Sequence, residues 1–141
     1  MAEGGGGRPP RGFGAPPHNL DAEKAVLGAI FLNNNVYDDV GGFLKPEHFA
    51  SKQNGAVYEA AVTLIEGGHK ADPVTLRRYF EASETLTVVG GKEHLGELAA
   101  CAATRVNAGE YARLLRDLYL RREIIVASEA MLERAYGGEI E

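Results

Sequence analysis

Residues 107–136 read NAGEYARLLRDLYLRREIIVASEAMLERAY. The stretch has no proline, and its one glycine, Gly109, stands near the start. It predicts a single uninterrupted helix, about 45 Å long at 1.5 Å rise per residue. Tyr111, Leu118, Ile125 and Leu132 recur every seven residues, with Leu114 and Leu115 between the first two. That spacing keeps one seam of a helix turned toward a partner. A second apolar face carries Leu120, Ile124, Ala127 and Met131. A helix apolar on two sides needs a second partner beyond its own core, either another helix of the chain or another subunit. Arg113, Asp117 and Arg121 stand four apart on the polar side, a spacing for exposed ion pairs. Gly137-Gly138 ends the run.

Upstream, the apolar spacing is again helical. Asn19 is placed to cap a helix whose first turn holds Asp21 and Glu23. Ala22, Val26, Leu27, Ala29 and Ile30 then follow at three- and four-residue steps. Asn33, Asn34 and Asn35 break that helix, and a short one through Val36, Val40 and Phe43 is expected next. Pro46 suits the first position of a further turn, with Glu47 behind it. A helix over Gln53 to Glu66 packs Val57, Ala61, Leu64 and Ile65, and Gly67-Gly68 closes it. Asp72-Pro73 gives the cleanest start signal, a cap followed by proline at the first helical position. Leu86 to Val89 reads as a short extended stretch, and after Gly90-Gly91 comes a helix with Leu95, Leu98 and Ala99. Alternating strand patterns are nearly absent. The expected fold is all-α: a small bundle of about five to six helices over 18–105, then the long helix over 106–136.

Met1 to Pro17 differs in kind, with six glycines, four prolines and Phe13 as its only large apolar side chain. It is expected to be a disordered leader, unable to bury enough surface to offset its ordering entropy.

The whole chain has 141 residues, one domain's worth. It sets 15 Lys and Arg against 20 Asp and Glu, a net charge of −5. Without the leader's Arg8, Arg11 and Glu3 the balance is −6. Such a domain is poorly suited to gripping nucleic acid or an anionic membrane. The longest apolar run, Ala25 to Leu32, has eight residues against the ~20 of a spanning helix. No secretory signal opens the sequence, and a cytoplasmic domain is expected.

Catalytic and metal chemistry find no footing. The single cysteine, Cys101, follows Ala99 and Ala100, which predicts a small buried thiol. His18, His48, His69 and His94 are too scattered for local metal spacing. Gly90-Gly91-Lys92 resembles the end of a phosphate-binding loop. The first glycine of that motif is replaced by Leu86, and the hydroxyl after the lysine by Glu93. No catalytic, cofactor or metal residue is assigned, so function is expected to reside in surfaces. The candidate interface residues are Tyr111, Leu115, Leu118, Ile124, Ile125 and Leu132.

Pro16-Pro17-His18-Asn19-Leu20-Asp21-Ala22-Glu23-Lys24-Ala25-Val26-Leu27-Gly28-Ala29-Ile30 resembles the opening of bacterial replicative DNA helicases of the DnaB family. Leu44-Lys45-Pro46-Glu47-His48-Phe49 is similar to that family's Leu-x-Pro-Glu-x-Phe turn, and Asp72-Pro73-Val74-Thr75-Leu76 to its next helix start. Val89-Gly90-Gly91 and the blocks Tyr111-Ala112-Arg113 and Leu120-Arg121-Arg122 continue the match in order, to about Tyr136. Two positions depart. Asn54 falls where the family commonly has His, and His94 where it has an aromatic, which is expected to alter local surface contacts.

The resemblance implies an N-terminal domain made of a helical bundle and a two-helix hairpin, with a RecA-like ATPase domain beyond it. Residues 106–136 are then the first half of the hairpin and 137–141 the start of its turn, and the chain is expected to be a fragment without the ATPase domain. By the same resemblance, the module pairs subunits, builds a collar in a hexamer and docks primase, with a helicase loader as a further partner. It is not expected to be an enzyme on its own. ATP, Mg²⁺ and DNA unwinding belong to the full-length helicase at the replication fork. Two rival readings are a free-standing regulator that binds helicase or primase, and a DNA-binding domain using Arg113, Arg116, Arg121 and Arg122.

Overall fold

The computed structural model describes residues 13–137. Residues 1–12 of the leader and 138–141 of the expected turn lie outside the described residues. Six α-helices follow one another: α1 (Leu20–Leu32), α2 (Val36–Val40), α3 (Lys52–Glu66), α4 (Pro73–Ala82), α5 (Gly91–Ala100) and α6 (Arg105–Gly137). A single 3-10 turn, Pro46–His48, sits between α2 and α3. No strand occurs among the described residues, and the fold is all-α.

The helix starts are written in side-chain oxygens. Asn19 accepts the Ala22 amide at 2.9 Å, and Ser51 accepts that of Asn54 at 3.1 Å. At α4 the exchange is reciprocal: Asp72 accepts the Thr75 amide and Thr75 Oγ1 accepts the Asp72 amide, both at 2.9 Å. Asp72→Ala is expected to cost about 1 kcal/mol. In a domain of this size that lowers the melting temperature by roughly 4 °C, read by thermal circular dichroism.

Helix α1 is the centre of the bundle and touches α2, α3, α5 and α6. Its Val26, Leu27, Ala29 and Ile30 are buried together with Val57, Leu76, Leu95 and Leu98 from α3, α4 and α5. Each large aliphatic side chain so buried contributes on the order of 1.5–3 kcal/mol. Gly28 lets α1 and α5 meet at their backbones. A Cβ there would collide with the Leu98 carbonyl and lie 2.7 Å from the Ala102 amide nitrogen.

Two local expectations are corrected, and a third is borne out with an added role. Leu86–Val89 is not extended but coiled into turns, with Val89 bonding back to Thr85 and Gly91 to Leu86. Gly90 and Gly91, at φ +103° and +76°, turn the chain into α5, and the local bonds leave nothing for a neighbouring strand to pair. Cys101 is exposed rather than buried, because it caps the end of α5 beyond its last packed turn. Asn34 does more than end α1. It donates to the Ile30 and Ala71 carbonyls at 2.7 and 2.8 Å and accepts the Ala71 amide at 2.9 Å, stitching α1 to the loop before α4.

Candidate functional site

Helix α6 has two halves with different surroundings. Through its first half, Ala108, Ala112 and Leu115 are buried against the bundle, and the two alanines let α6 lie close along α1. Arg105 at its start grips Asp39 with Nε and Nη2 at 2.6 and 3.0 Å. Both side chains are largely exposed, so the pair orients more than it stabilises.

The last tether to the bundle is a small joint at residues 119–122. The Tyr119 ring lies 4.7 Å from that of His48 in the 3-10 turn, and the Arg122 guanidinium sits 5.9 Å over the Tyr119 ring. Arg122 also donates to the Pro17 carbonyl at 2.8 Å and to the His48 carbonyl at 3.1 Å. The turn itself abuts α3 because Gly55 has no side chain: a Cβ there would stand 2.8 Å from the Pro46 carbonyl.

His48 accepts the Lys45 amide on Nδ1 at 3.1 Å, which requires that nitrogen to be unprotonated. Burial lowers its pKa below the ordinary 6.5, and Arg116, Lys45 and Arg122 push the same way against Glu47. A histidine held neutral by folding binds more protons when unfolded. Its stabilising contribution is therefore complete above about pH 6.5 and is lost as pH falls from there toward the folded-state pKa. Urea midpoints measured between pH 7.5 and 5.5 are expected to drop, and His48→Gln to flatten that slope.

Beyond the joint, α6 runs free of the bundle. Ile124 is 65% exposed, Val126 58%, Met131 66% and Leu132 59%. The predicted interface residues divide accordingly. Leu115 is 1% exposed and belongs to the domain's own core, so it leaves the set: its place one helical turn after Ala112 puts it on the stripe facing α1. Leu118 and Ile125 are half-buried, while Tyr111, Ile124 and Leu132 are exposed. Val126 was missing from the set because it lies on neither the seven-residue seam nor the second face. A groove of about 1130 Å³ runs between this half of α6, the start of α3 and residues 13–17, and Phe13, Pro17, Phe49, Ile125 and Leu132 are among its walls.

Three of the four arginines weighed for DNA binding are engaged within the chain. Arg113 meets Glu110 at 3.5 Å, Arg121 meets Asp117 at 2.9 Å, and Arg122 serves the joint. One buried polar network stands in the bundle. Glu23 accepts the Ala50 amide at 2.7 Å and the Asn54 side-chain amide at 2.9 Å, and Asn54 Oδ1 lies 2.9 Å from His94 Nε2. Glu23 and Asn54 are enclosed, so the network braces α1 against α3 and α5 instead of presenting a reactive group. Asn54 and His94, expected from the sequence to alter surface contacts separately, are thus partners of each other. No cluster of metal-ligand type occurs among the described residues, and none of their helices is long and apolar enough to cross a membrane.

Comparison with known proteins agrees with this architecture. The replicative DNA helicase DnaB of Rickettsia conorii is 33% identical over 125 residues, and that of Geobacillus stearothermophilus 32% over 126. Each match covers 89% of this chain but only 25% and 28% of the relative, so the chain spans about a quarter of their length. The crystal structure of the N-terminal domain of DnaB helicase from Mycobacterium tuberculosis superposes with a TM-score of 0.83 at 31% identity, covering 86% of this chain and 88% of that one. A DnaB-like replicative helicase, described with its interactions with primase, superposes at 0.70 with 25% identity over 84% of this chain and 28% of its own. The sequence profile of the DnaB-like helicase N terminal domain matches residues 15–117, and the chain belongs to that family.

Proposed function

We propose that this chain is the assembly module of a bacterial replicative DNA helicase, acting in DNA replication through subunit pairing and primase docking. The observation that carries the reading is the distal half of α6, where Ile124, Val126, Met131 and Leu132 stand in solvent on a helix that has left its own core. Leaving several such side chains wet forgoes roughly 1.5–3 kcal/mol each, a strong drive to associate. The two apolar faces, around Ile125 and around Ile124, give α6 room for two neighbours, as a collar built from paired helices requires. Docking of primase is supported by the structural relative whose description joins a helicase of this kind to primase. In the parent protein, ATP with Mg²⁺ and DNA unwinding belong to the full-length helicase, which forms a hexamer, and a helicase loader is a further partner. The parent acts in the cytoplasm at the replication fork. Within this module the net charge of −5 and the internally paired arginines support scaffolding over strand gripping. Sedimentation equilibrium tests the reading. At about 10 µM the chain is expected to be a dimer or larger, and a monomer persisting to about 200 µM overturns it.

A further inference from the structure

The groove between the distal half of α6, the start of α3 and residues 13–17 carries a pattern of charge that pairing of α6 does not call for. Its lining is apolar at Phe13, Phe49, Ile125 and Leu132, and Ala50 and Ala56 add side chains too short to fill it. Four carboxylates line it as well. Glu47 and Glu59 come from the bundle and Glu123 and Glu129 from α6, so both walls are acidic. Against them stand two cations, Lys52 and Arg122, and Arg122 is spent on the Pro17 and His48 carbonyls. Among the described residues none of these four carboxylates forms a salt bridge, whereas Asp39, Glu81, Glu97, Glu110 and Asp117 elsewhere do. At about 1130 Å³ the groove exceeds the roughly 300–1,000 Å³ of a small-molecule pocket. It follows α6 from Tyr119 to Leu132, about 20 Å at 1.5 Å per residue. No strand edge stands among the described residues for an extended peptide to join, which favours a helix laid in the groove.

We propose that this groove docks a helix of another protein, one with an apolar stripe and with Lys or Arg on both sides of it. The stripe takes the place of water against Phe49, Ile125 and Leu132, and the flanking cations meet a carboxylate wall on either side. A second copy of this chain is the poorer occupant. The distal half of its α6 carries Glu123, Glu129 and Glu133 against Arg134, and would set like charges against each other. Met131 lies outside the groove, so pairing through that face stays open. The proposal goes beyond pairing and primase docking and rests on neither.

The probe is a fluorescein-labelled peptide of about 14 residues, leucine on one helical stripe and lysine elsewhere, read by fluorescence anisotropy on the full chain. A second peptide carries glutamate for every lysine. The leucine–lysine peptide is expected to bind about tenfold more tightly than the leucine–glutamate one. Glu123→Lys/Glu129→Lys is expected to abolish that preference. Glu84→Lys/Glu93→Lys makes the same change of net charge outside the groove and is expected to leave the preference in place. Circular dichroism melting checks that both variants keep their fold. Two peptides bound alike by the wild type overturn the proposal. An equal loss in both double variants makes binding a matter of net charge and overturns it too. Sedimentation equilibrium with the peptide present adds the last check. If peptide and self-association exclude each other, the groove belongs to a second copy and the proposal fails.

Discussion

Gly28→Val is expected to remove a large part of the domain's stability. Helix propensity alone points the other way, because glycine inside a helix costs up to ~1 kcal/mol relative to alanine. Packing decides the sign here. A Cβ at residue 28 meets the backbone of Leu98 and of Ala102, neither of which is a flexible side chain that can rotate aside. Helix α1 must then draw back from α5, and it is the helix around which the bundle is built. Overpacking in a full core costs about 1–3 kcal/mol when side chains yield, and more when backbone must move. A loss of about 4 kcal/mol is expected, against a total of roughly 5–15 kcal/mol for a natural domain. Urea unfolding followed by circular dichroism measures it. Gly28→Ala must fall on the same side, and an alanine variant more stable than wild type would show that α1 and α5 slide apart at no cost.

Association is expected to weaken by more than a hundredfold in Ile124→Asp/Met131→Asp, with no change in thermal stability of the monomer. Both residues are about two-thirds exposed in the single chain, so a carboxylate there is solvated and harmless to the fold. In a pair, the same carboxylates would be buried without a partner, which costs several kcal/mol. A hundredfold change needs only about 2.7 kcal/mol, so the expectation is conservative. Leu118 and Ile125 are poorer sites for the test, since their half-burial mixes folding with pairing. Leu115→Asp would place a charge in the core and unfold the chain. Light scattering and thermal melts on the same samples separate the two effects. Variants that remain dimeric would move the interface off this face of α6.

The helix starts were legible because their information is local. Asn19 and Asp72 act on amides within the same turn, and proline at 46 and 73 fixes the φ of its own residue. The length of α6 was legible for a similar reason, since nothing in residues 107–136 breaks a helix. What the sequence could not rank was which stripe of α6 the bundle takes. Leu115 and Leu118 have the same chemistry, and only the seating of α6 against α1 buries one fully and the other by half. The joint of His48, Tyr119 and Arg122 joins residues about 70 positions apart, a separation that no motif in this chain encodes. Cys101 misled because composition around it is apolar, while exposure is set by where α5 stops.

The bond between Asn54 and His94 links two stretches of chain 40 positions apart into one unit of inheritance. Restoring the family's histidine at position 54 alone would withdraw the amide that serves Glu23 and set two imidazoles against each other in an enclosed space. Changing His94 alone would strip Asn54 of its outer partner. Each single step is therefore expected to be costly, and the two effects are not additive. Lineages carrying this pairing are expected to hold both residues or neither. A chimera that grafts α3 from a relative onto this bundle is expected to be less stable than one that also brings α5 from the same relative.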